Sequence, residues 1–344
     1  MKRLSIVVPM YNVEPFVEKC LRYLVEQDIP QEEYEIICVN DGSPDNSRDI
    51  VLKFKEKYSN VVLLDQENQG VSMARNNGID IATGKYLLFI DPDDYTDSNC
   101  FKNILQKADD NDAEVVHLGF TVLDEFDKEK AAVHHEGIST TVVEGIKAYS
   151  LCHVEGRPDP DRIYGILIKR DLLNTYKLRF LEGVPYLEDG ELMTRISCIA
   201  SRCLFIKGTF YWRTTRPGSA TNSDLFYSKR AIDGFIKSAS NLRVFRETLS
   251  LSVEQRQYLN QPIVKYVILS LSASSKFTDY KTYRYVRASL LKNNFNKLEL
   301  EGIDKTYKKL GGFFNISISL LHCYLLFRPI GLSVKNILNK LKFK

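Results

Sequence analysis

The densest chemistry in the sequence is Phe89-Ile90-Asp91-Pro92-Asp93-Asp94, an apolar run that ends abruptly in three carboxylates. Burying such a group unpaired is costly. Hard oxygen ligands gathered at one strand end suit Mg²⁺ or Mn²⁺, above all when substrate phosphates complete the coordination shell. The same residues also fit a solvated acidic turn ahead of a helix, so the D-x-D spacing alone does not decide. A second motif, Val39-Asn40-Asp41-Gly42-Ser43, leads from a strand into a glycine turn. Asp41 is there either an ordinary turn residue or an acceptor for a base or ribose. In the third, Asn68-Gln69-Gly70-Val71-Ser72-Met73-Ala74-Arg75-Asn76, a glycine opens a helix whose first turns carry Arg75. An arginine fork suits a diphosphate and helix N-termini attract anions, although a solvated surface arginine has the same sequence.

The elements that must position these residues alternate over the first 120 positions. Leu4 to Val8, Tyr34 to Val39, Val61 to Leu64, Tyr86 to Ile90 and Glu114 to Leu118 read as strands. Pro15 to Glu26 and Ser47 to Tyr58 read as helices, the first with proline in its opening turn and Phe16, Cys20, Leu21 and Leu24 at core spacing. Near-continuously apolar strands separated by helices predict a mostly parallel sheet covered on both faces. Such sheets bind ligands beyond the carboxyl ends of their strands. Tyr11 and Asn12, Asp41, and Asp91 all fall at those ends and are expected in one crevice. The glycine patterns of dinucleotide folds and P-loops are absent.

Residues 163–213 form a second region carrying Tyr186-Leu187-Glu188-Asp189 and are expected to take the acceptor. Beyond Asn222 the pattern is helical. The predicted organisation is an α/β domain over 1–222, with a ligand-binding half over 1–100 and an acceptor half over 101–222, then a C-terminal helical region over 223–344 with a basic amphipathic tail.

Taken together, Ser5 to Asn12, Val39 to Ser43, Asn68 to Gly70 with Ala74 to Asn76, Gly84 to Tyr86 and Phe89 to Asp94 resemble family 2 glycosyltransferases of the GT-A fold, in order and at familiar spacing. The likeness is dense over residues 4–97. It thins through Tyr164-Gly165, Phe180 to Gly183, Glu188-Asp189 and Tyr211 to Ser219. It implies a nucleotide-sugar donor, usually of UDP, with Asp41 on the base and Pro9 and Tyr11 framing that pocket. Asp91 would lie by the ribose and sugar and join Asp93 at the metal, which bridges the two phosphates, while Asp94 supports them. Asp189 would be the base, with Glu188 beside it. The Arg213 to Ser219 loop would close over the diphosphate, with either Arg213 or Arg216 reaching it. One base opposite the leaving group implies a single displacement with inversion onto a saccharide or lipid-linked saccharide, in surface polysaccharide or glycolipid synthesis. A sugar nucleotidyltransferase would carry a Gly-rich basic loop after strand one, where this chain has Pro9-Met10-Tyr11-Asn12. A non-catalytic sugar-nucleotide module would need no base.

Composition narrows the setting. The net charge is only +3, but Lys305 to Lys344 holds eight Lys or Arg and no Asp or Glu. That asymmetry points away from nucleic acid and toward an anionic surface met by the tail. The seven cysteines form no C-x-x-C pair and fit a reducing cytoplasm. Leu310 to Phe327 has no formal charge yet includes Asn315, Ser317, Ser319 and His322. Spanning a membrane is therefore not expected. With Phe314, Ile318, Leu321 and Leu325 on one helical face, the stretch reads as an interfacial helix at the inner face of the cytoplasmic membrane, or as a packing helix. Trp212 either stacks on a sugar or packs in the domain, and the five histidines show no metal-site spacing.

Overall fold

The computed structural model describes residues 2–124, 126–153, 161–215, 224–275 and 280–327. The chain divides into two compact units, Met1–Gly183 with Leu187–Asn222, and Val184–Tyr186 with Ser223–Lys344.

The first unit runs β1 (Leu4–Met10), α1 (Glu14–Val25), β2 (Tyr34–Asp41), α2 (Ser47–Lys57), β3 (Val61–Gln66), α3 (Val71–Ile81) and β4 (Tyr86–Phe89). It continues with β5 (Tyr95–Thr96), α4 (Phe101–Asp110), β6 (Val115–Leu123), β7 (Glu129–Val133), α5 (Gly145–Cys152), β8 (Ile166–Lys169), α6 (Arg170–Thr175), α7 (Glu188–Ile199) and β9 (Cys203–Arg213). The strands form one sheet in the order β3-β2-β1-β4-β8-β6-β9-β5, with β7 paired to β6. From β3 to β4 every pairing is parallel. β1 and β2 are buried along their whole length, as apolar strands covered on both faces must be. Antiparallel pairing enters at β8, which lies between β4 and β6, and also joins β7 to β6 and β5 to β9. Parallel pairing resumes between β6 and β9.

Helix α3 carries Arg75 and is held hard against the sheet at Gly78, where a Cβ would lie 2.4 Å from Val7 Cγ1. Only glycine permits that approach. Gly70, at φ 87°, is the residue just before this helix.

The second unit is helical: α8 (Lys229–Thr248), α9 (Val253–Ser274), α10 (Tyr280–Lys292) and α11 (Lys305–Ile316). Ser228 caps α8, and Ser252 with Gln255 forms a capping box on α9. Tyr186 joins this unit by packing edge-on against Phe226 and Phe235. After α11 the backbone breaks at Ser317, at φ −165° and ψ 133°, and residues 318–327 form a further helix. Of the two readings of this stretch, packing describes the face of Phe314, Ile318, Leu321 and Leu325, all of which are buried. That face packs into the helical unit rather than meeting lipid. No helix among the described residues is long and apolar enough to cross a membrane.

Candidate active site

The carboxyl ends of β1, β2 and β4 carry Tyr11, Asp41 and the Asp91 to Asp94 turn. The parallel order β2-β1-β4 places them side by side along one edge of the sheet. Pro9 is buried within β1 opposite Val39, while Tyr11, just past the strand, exposes half its surface.

Asp41 is buried and organises the neighbouring loop. Its Oδ1 accepts from the Gln69 amide at 2.7 Å and from Gln66 Nε2 at 2.7 Å, and its Oδ2 accepts from the Gly70 amide at 2.9 Å. The carboxylate thus fixes the entry to α3. Asp45, which the sequence motifs did not single out, organises the β2–α2 loop in the same way. It accepts from the Glu14 amide and from the hydroxyls of Ser43 and Ser47, tying that loop to the start of α1. Burial acts to raise its pKa, but the Ser47, Ser43 and backbone hydrogen bonds outweigh this and hold the carboxyl at about 2. The D-G-S-x-D spacing was the available signal.

Arg75 occupies a different place from the one its sequence position suggested. Only 4% of its side chain is exposed, and its fork is committed to three carboxylates. Nη2 donates to Asp91 Oδ1 at 2.9 Å, while Nη1 donates to Asp189 Oδ1 at 2.8 Å and Glu188 Oε1 at 3.1 Å. The guanidinium also lies 5.1 Å from the centre of the Phe180 ring. Burial acts to lower the Arg75 pKa, but the charges of Asp189, Asp91 and Glu188 more than offset it and hold the group above its ordinary value. A cation so enclosed is a clamp between acidic side chains rather than an open receptor for phosphate.

Asp189 enters this cluster from the first turn of α7. It does not cap that helix: the residue before α7 is Leu187, in the left-handed region at φ 60°, with no side-chain capping bond. Its second oxygen accepts from the Ile163 amide at 3.3 Å.

Asp94 is buried, and its oxygens accept from the Tyr211 hydroxyl at 2.6 Å and the Thr214 amide at 2.7 Å. Burial, followed by the negative charges of Asp93 and Asp91, pushes its carboxyl well above the usual range, against the pull of those hydrogen bonds. Tyr211 also accepts from the Asp91 amide at 3.3 Å, and Thr214 Oγ1 donates to the Asp93 carbonyl at 2.5 Å. The end of β9 therefore braces the whole acidic turn, a role the sequence did not reveal.

Among the described residues no three acidic, histidine or cysteine side chains converge as a ready-made metal site. Asp94 is occupied by Tyr211 and Thr214, and one oxygen of Asp91 by Arg75. The second oxygen of Asp91 carries no hydrogen bond among the described residues, and Asp93 is half-buried beside it. This donor set fits a cation that takes one or two carboxylates and completes its shell with substrate phosphates.

The remaining sequence candidates are placed as follows. Arg213 ends β9 with its guanidinium 5.4 Å from the Tyr164 ring, which itself stacks on Tyr211. Arg216 and Ser219 lie outside the described residues. Trp212 packs within the domain, its ring parallel to Tyr95 and its Nε1 donating to Asp97 at 2.6 Å.

Residues 5–166 match the model described as Glycosyl transferase family 2. The uncharacterized glycosyltransferase EpsJ of Bacillus subtilis is 31% identical over 217 residues, 63% of this chain and 62% of EpsJ. The poly(ribitol-phosphate) beta-N-acetylglucosaminyltransferase TarS of Staphylococcus aureus is 25% identical over 225 residues, 65% of this chain and 37% of TarS. The chain thus spans less than two thirds of either relative's length. A crystal structure of a TarS fragment with UDP-GlcNAc superposes with a TM-score of 0.70 at 18% identity, covering 96% of this chain and 92% of that one. The mannosyltransferase PcManGT of Pyrobaculum calidifontis, solved with GDP-Man and Mn²⁺, gives a TM-score of 0.50 at 16% identity over 99% of this chain and 88% of its own. These superpositions establish the GT-A fold. The similarity to glycosyl transferase family 2 runs through residues 5–166, a little under half of the chain.

Proposed function

We propose that the protein transfers a glycosyl unit from a nucleotide sugar, most consistently a UDP-sugar, to a hydroxyl of a saccharide or lipid-linked saccharide in surface polysaccharide synthesis. The observation that carries this reading is the Arg75 clamp. One buried guanidinium joins Asp91, from the turn that follows β4, to Glu188 and Asp189 at the start of α7. Groups suited to the donor and a candidate base for the acceptor are thereby held a single side chain apart. TarS, whose name gives poly(ribitol-phosphate) as its acceptor and whose structure holds UDP-GlcNAc, supports a UDP donor and a polyol-phosphate or glycan acceptor.

In this reading Tyr11 offers its exposed ring to the base and Pro9 shapes the strand end beneath it. Asp41 holds the loop at Gln69 and Gly70 and lines the same pocket. Asp93 and the open oxygen of Asp91 would hold Mn²⁺ or Mg²⁺, which supplies positive charge to the departing diphosphate. Arg213, with Arg216 and Ser219 further along the sequence, is assigned to the same phosphates. Asp189 takes the proton from the acceptor hydroxyl, and Arg75 keeps that carboxylate oriented and charged. Displacement from the side opposite the leaving group inverts the anomeric centre in one step.

Asp189→Asn tests the assignment. Asparagine keeps the side chain's size and can still accept from Arg75 through its single carbonyl oxygen, but its NH2 cannot accept from the Ile163 amide and it cannot take a proton. Donor affinity is expected to stay near normal while transfer falls by about 10²-fold or more. Transfer close to wild type in this variant, with loss in Glu188→Gln instead, would move the base by one position.

A further inference from the structure

The last helices of the second unit engage several of their polar residues with the rest of that unit. Asn315 accepts from the Leu298 amide at 2.7 Å and donates to the Leu298 carbonyl at 2.9 Å. Ser319 Oγ lies 2.6 Å from the Tyr283 hydroxyl, and His322 stacks on the Tyr283 ring. Asn315 and His322 are thus drawn into the unit, while Ser319 stays exposed with its hydroxyl on Tyr283.

Alongside the exposed Thr306, Ser317 and Ser319, large apolar side chains remain outside. Ile316 is 75% exposed, Leu320 41% and Phe327 65%. Leu320, Tyr324 and Phe327 recur at the spacing of one helical stripe. Phe313 of α11 meets Tyr324 with ring centres 5.0 Å apart, so the two helices share one continuous face. Lys309 Nζ lies 5.4 Å from the Tyr324 ring and 5.9 Å from Phe313. Lys305, one turn earlier on the same stripe, and Lys308 are exposed beside it. Asp304 is the neighbouring acid, and its carboxylate is engaged as the N-cap of α11, accepting from the Tyr307 amide at 2.9 Å.

We propose that this outward face docks on an anionic lipid surface, with Ile316, Leu320 and Phe327 entering the headgroup boundary and Lys305 and Lys309 at the level of the lipid phosphates. Lysine stems can lie along apolar surface while their ammonium groups reach a charged plane. Charge selects lipid over a second copy of the chain. An isologous pair would set one lysine rim against another, whereas an anionic membrane supplies the opposite sign to the rim and to all eight basic residues between Lys305 and Lys344. This inference stands apart from the reaction assigned to the first unit.

The test is co-sedimentation of the full chain with vesicles of phosphatidylglycerol and phosphatidylcholine, compared with phosphatidylcholine alone, at low salt. The wild type should bind the anionic vesicles selectively. An Ile316→Asp/Phe327→Asp double variant and a Lys305→Glu/Lys309→Glu double variant should each bind about tenfold more weakly or less. Val253→Asp, at an apolar residue of the same unit that is 72% exposed, should bind as wild type. All the substituted side chains lie at the surface, and matched circular dichroism and melting curves would exclude misfolding. Wild-type protein that ignores anionic vesicles, or either double variant that binds normally, would overturn the proposal. So would a concentration-dependent dimer that Ile316→Asp/Phe327→Asp abolishes in a chain that does not bind lipid.

Discussion

Replacing Arg75 by methionine removes the positive charge from the centre of the site while keeping much of the side chain's length. Asp91, Glu188 and Asp189 are then left around an apolar residue with side-chain exposures of only 34%, 15% and 20%. Carboxylates gathered on one guanidinium lie on the order of 5 Å apart. At an effective dielectric near 20, two such charges repel by about 3 kcal/mol. Breaking a buried ion pair by deleting one partner costs about 3–5 kcal/mol by experience with other proteins. The two routes agree, and for a unit of this size the loss corresponds to a fall in melting temperature of about 6–20 °C. Thermal unfolding followed by circular dichroism measures it. Arg75→Lys should fall between wild type and Arg75→Met, because one ammonium keeps the charge but cannot span Asp91 and Asp189 as the two ends of a fork do. At a temperature where all three remain folded, transfer should drop more steeply than donor affinity, since the clamp orients the proposed base. An Arg75→Met variant destabilised by less than about 1 kcal/mol, with transfer intact, would refute the clamp.

Two further perturbations probe other regions of the first unit. Tyr211→Phe removes the hydroxyl that donates to Asp94 and accepts from the Asp91 amide, and should cost about 1–3 kcal/mol in denaturant unfolding; an unchanged midpoint would contradict the bracing role of β9. His117 is buried, and that burial, reinforced by the positive charges of Arg162 and His135, holds its pKa well below the usual value. The unfolded chain takes up a proton as pH falls through about 6.5 while the native His117 does not, so stability present above that pH is lost below it, at about 1.4 kcal/mol per pH unit. His117→Gln should flatten the decline in stability between about pH 6.5 and 5, and an identical slope would show that His117 does not carry it.

The parallel half of the fold was legible because its signals are local. Apolar runs marked β1 to β4, core-spaced residues marked α1 and α2, and the polar motifs sat at strand ends where such a sheet collects ligands. The roles within the site were less legible because they depend on distant partners. Arg75 meets Asp91 from 16 residues away but Glu188 and Asp189 from 113 and 114. Seen alone, an arginine near a helix start looks like a phosphate receptor. The bracing of Asp94 by Tyr211 and Thr214 spans 117 and 120 residues and left no local trace. Antiparallel β8 is only four residues long, with nothing in its pattern to fix its direction. In the C-terminal helices periodicity grouped Phe314, Ile318, Leu321 and Leu325 on one face but could not say that this face is buried, and it missed both the break at Ser317 and the exposed stripe at Ile316, Leu320 and Phe327.

The central claim is that the site binds and activates a nucleotide sugar, and donor hydrolysis tests it without knowledge of the acceptor. The measurement is release of nucleoside diphosphate from a panel of nucleotide sugars, with Mn²⁺, with Mg²⁺ and with EDTA, by wild-type protein and Asp93→Ala. The account predicts slow release of UDP from at least one UDP-sugar, dependent on the added cation and lost in Asp93→Ala. Release that continues unchanged in EDTA and in Asp93→Ala would contradict the metal assignment, and absence of both binding and release across the whole panel would contradict the function itself.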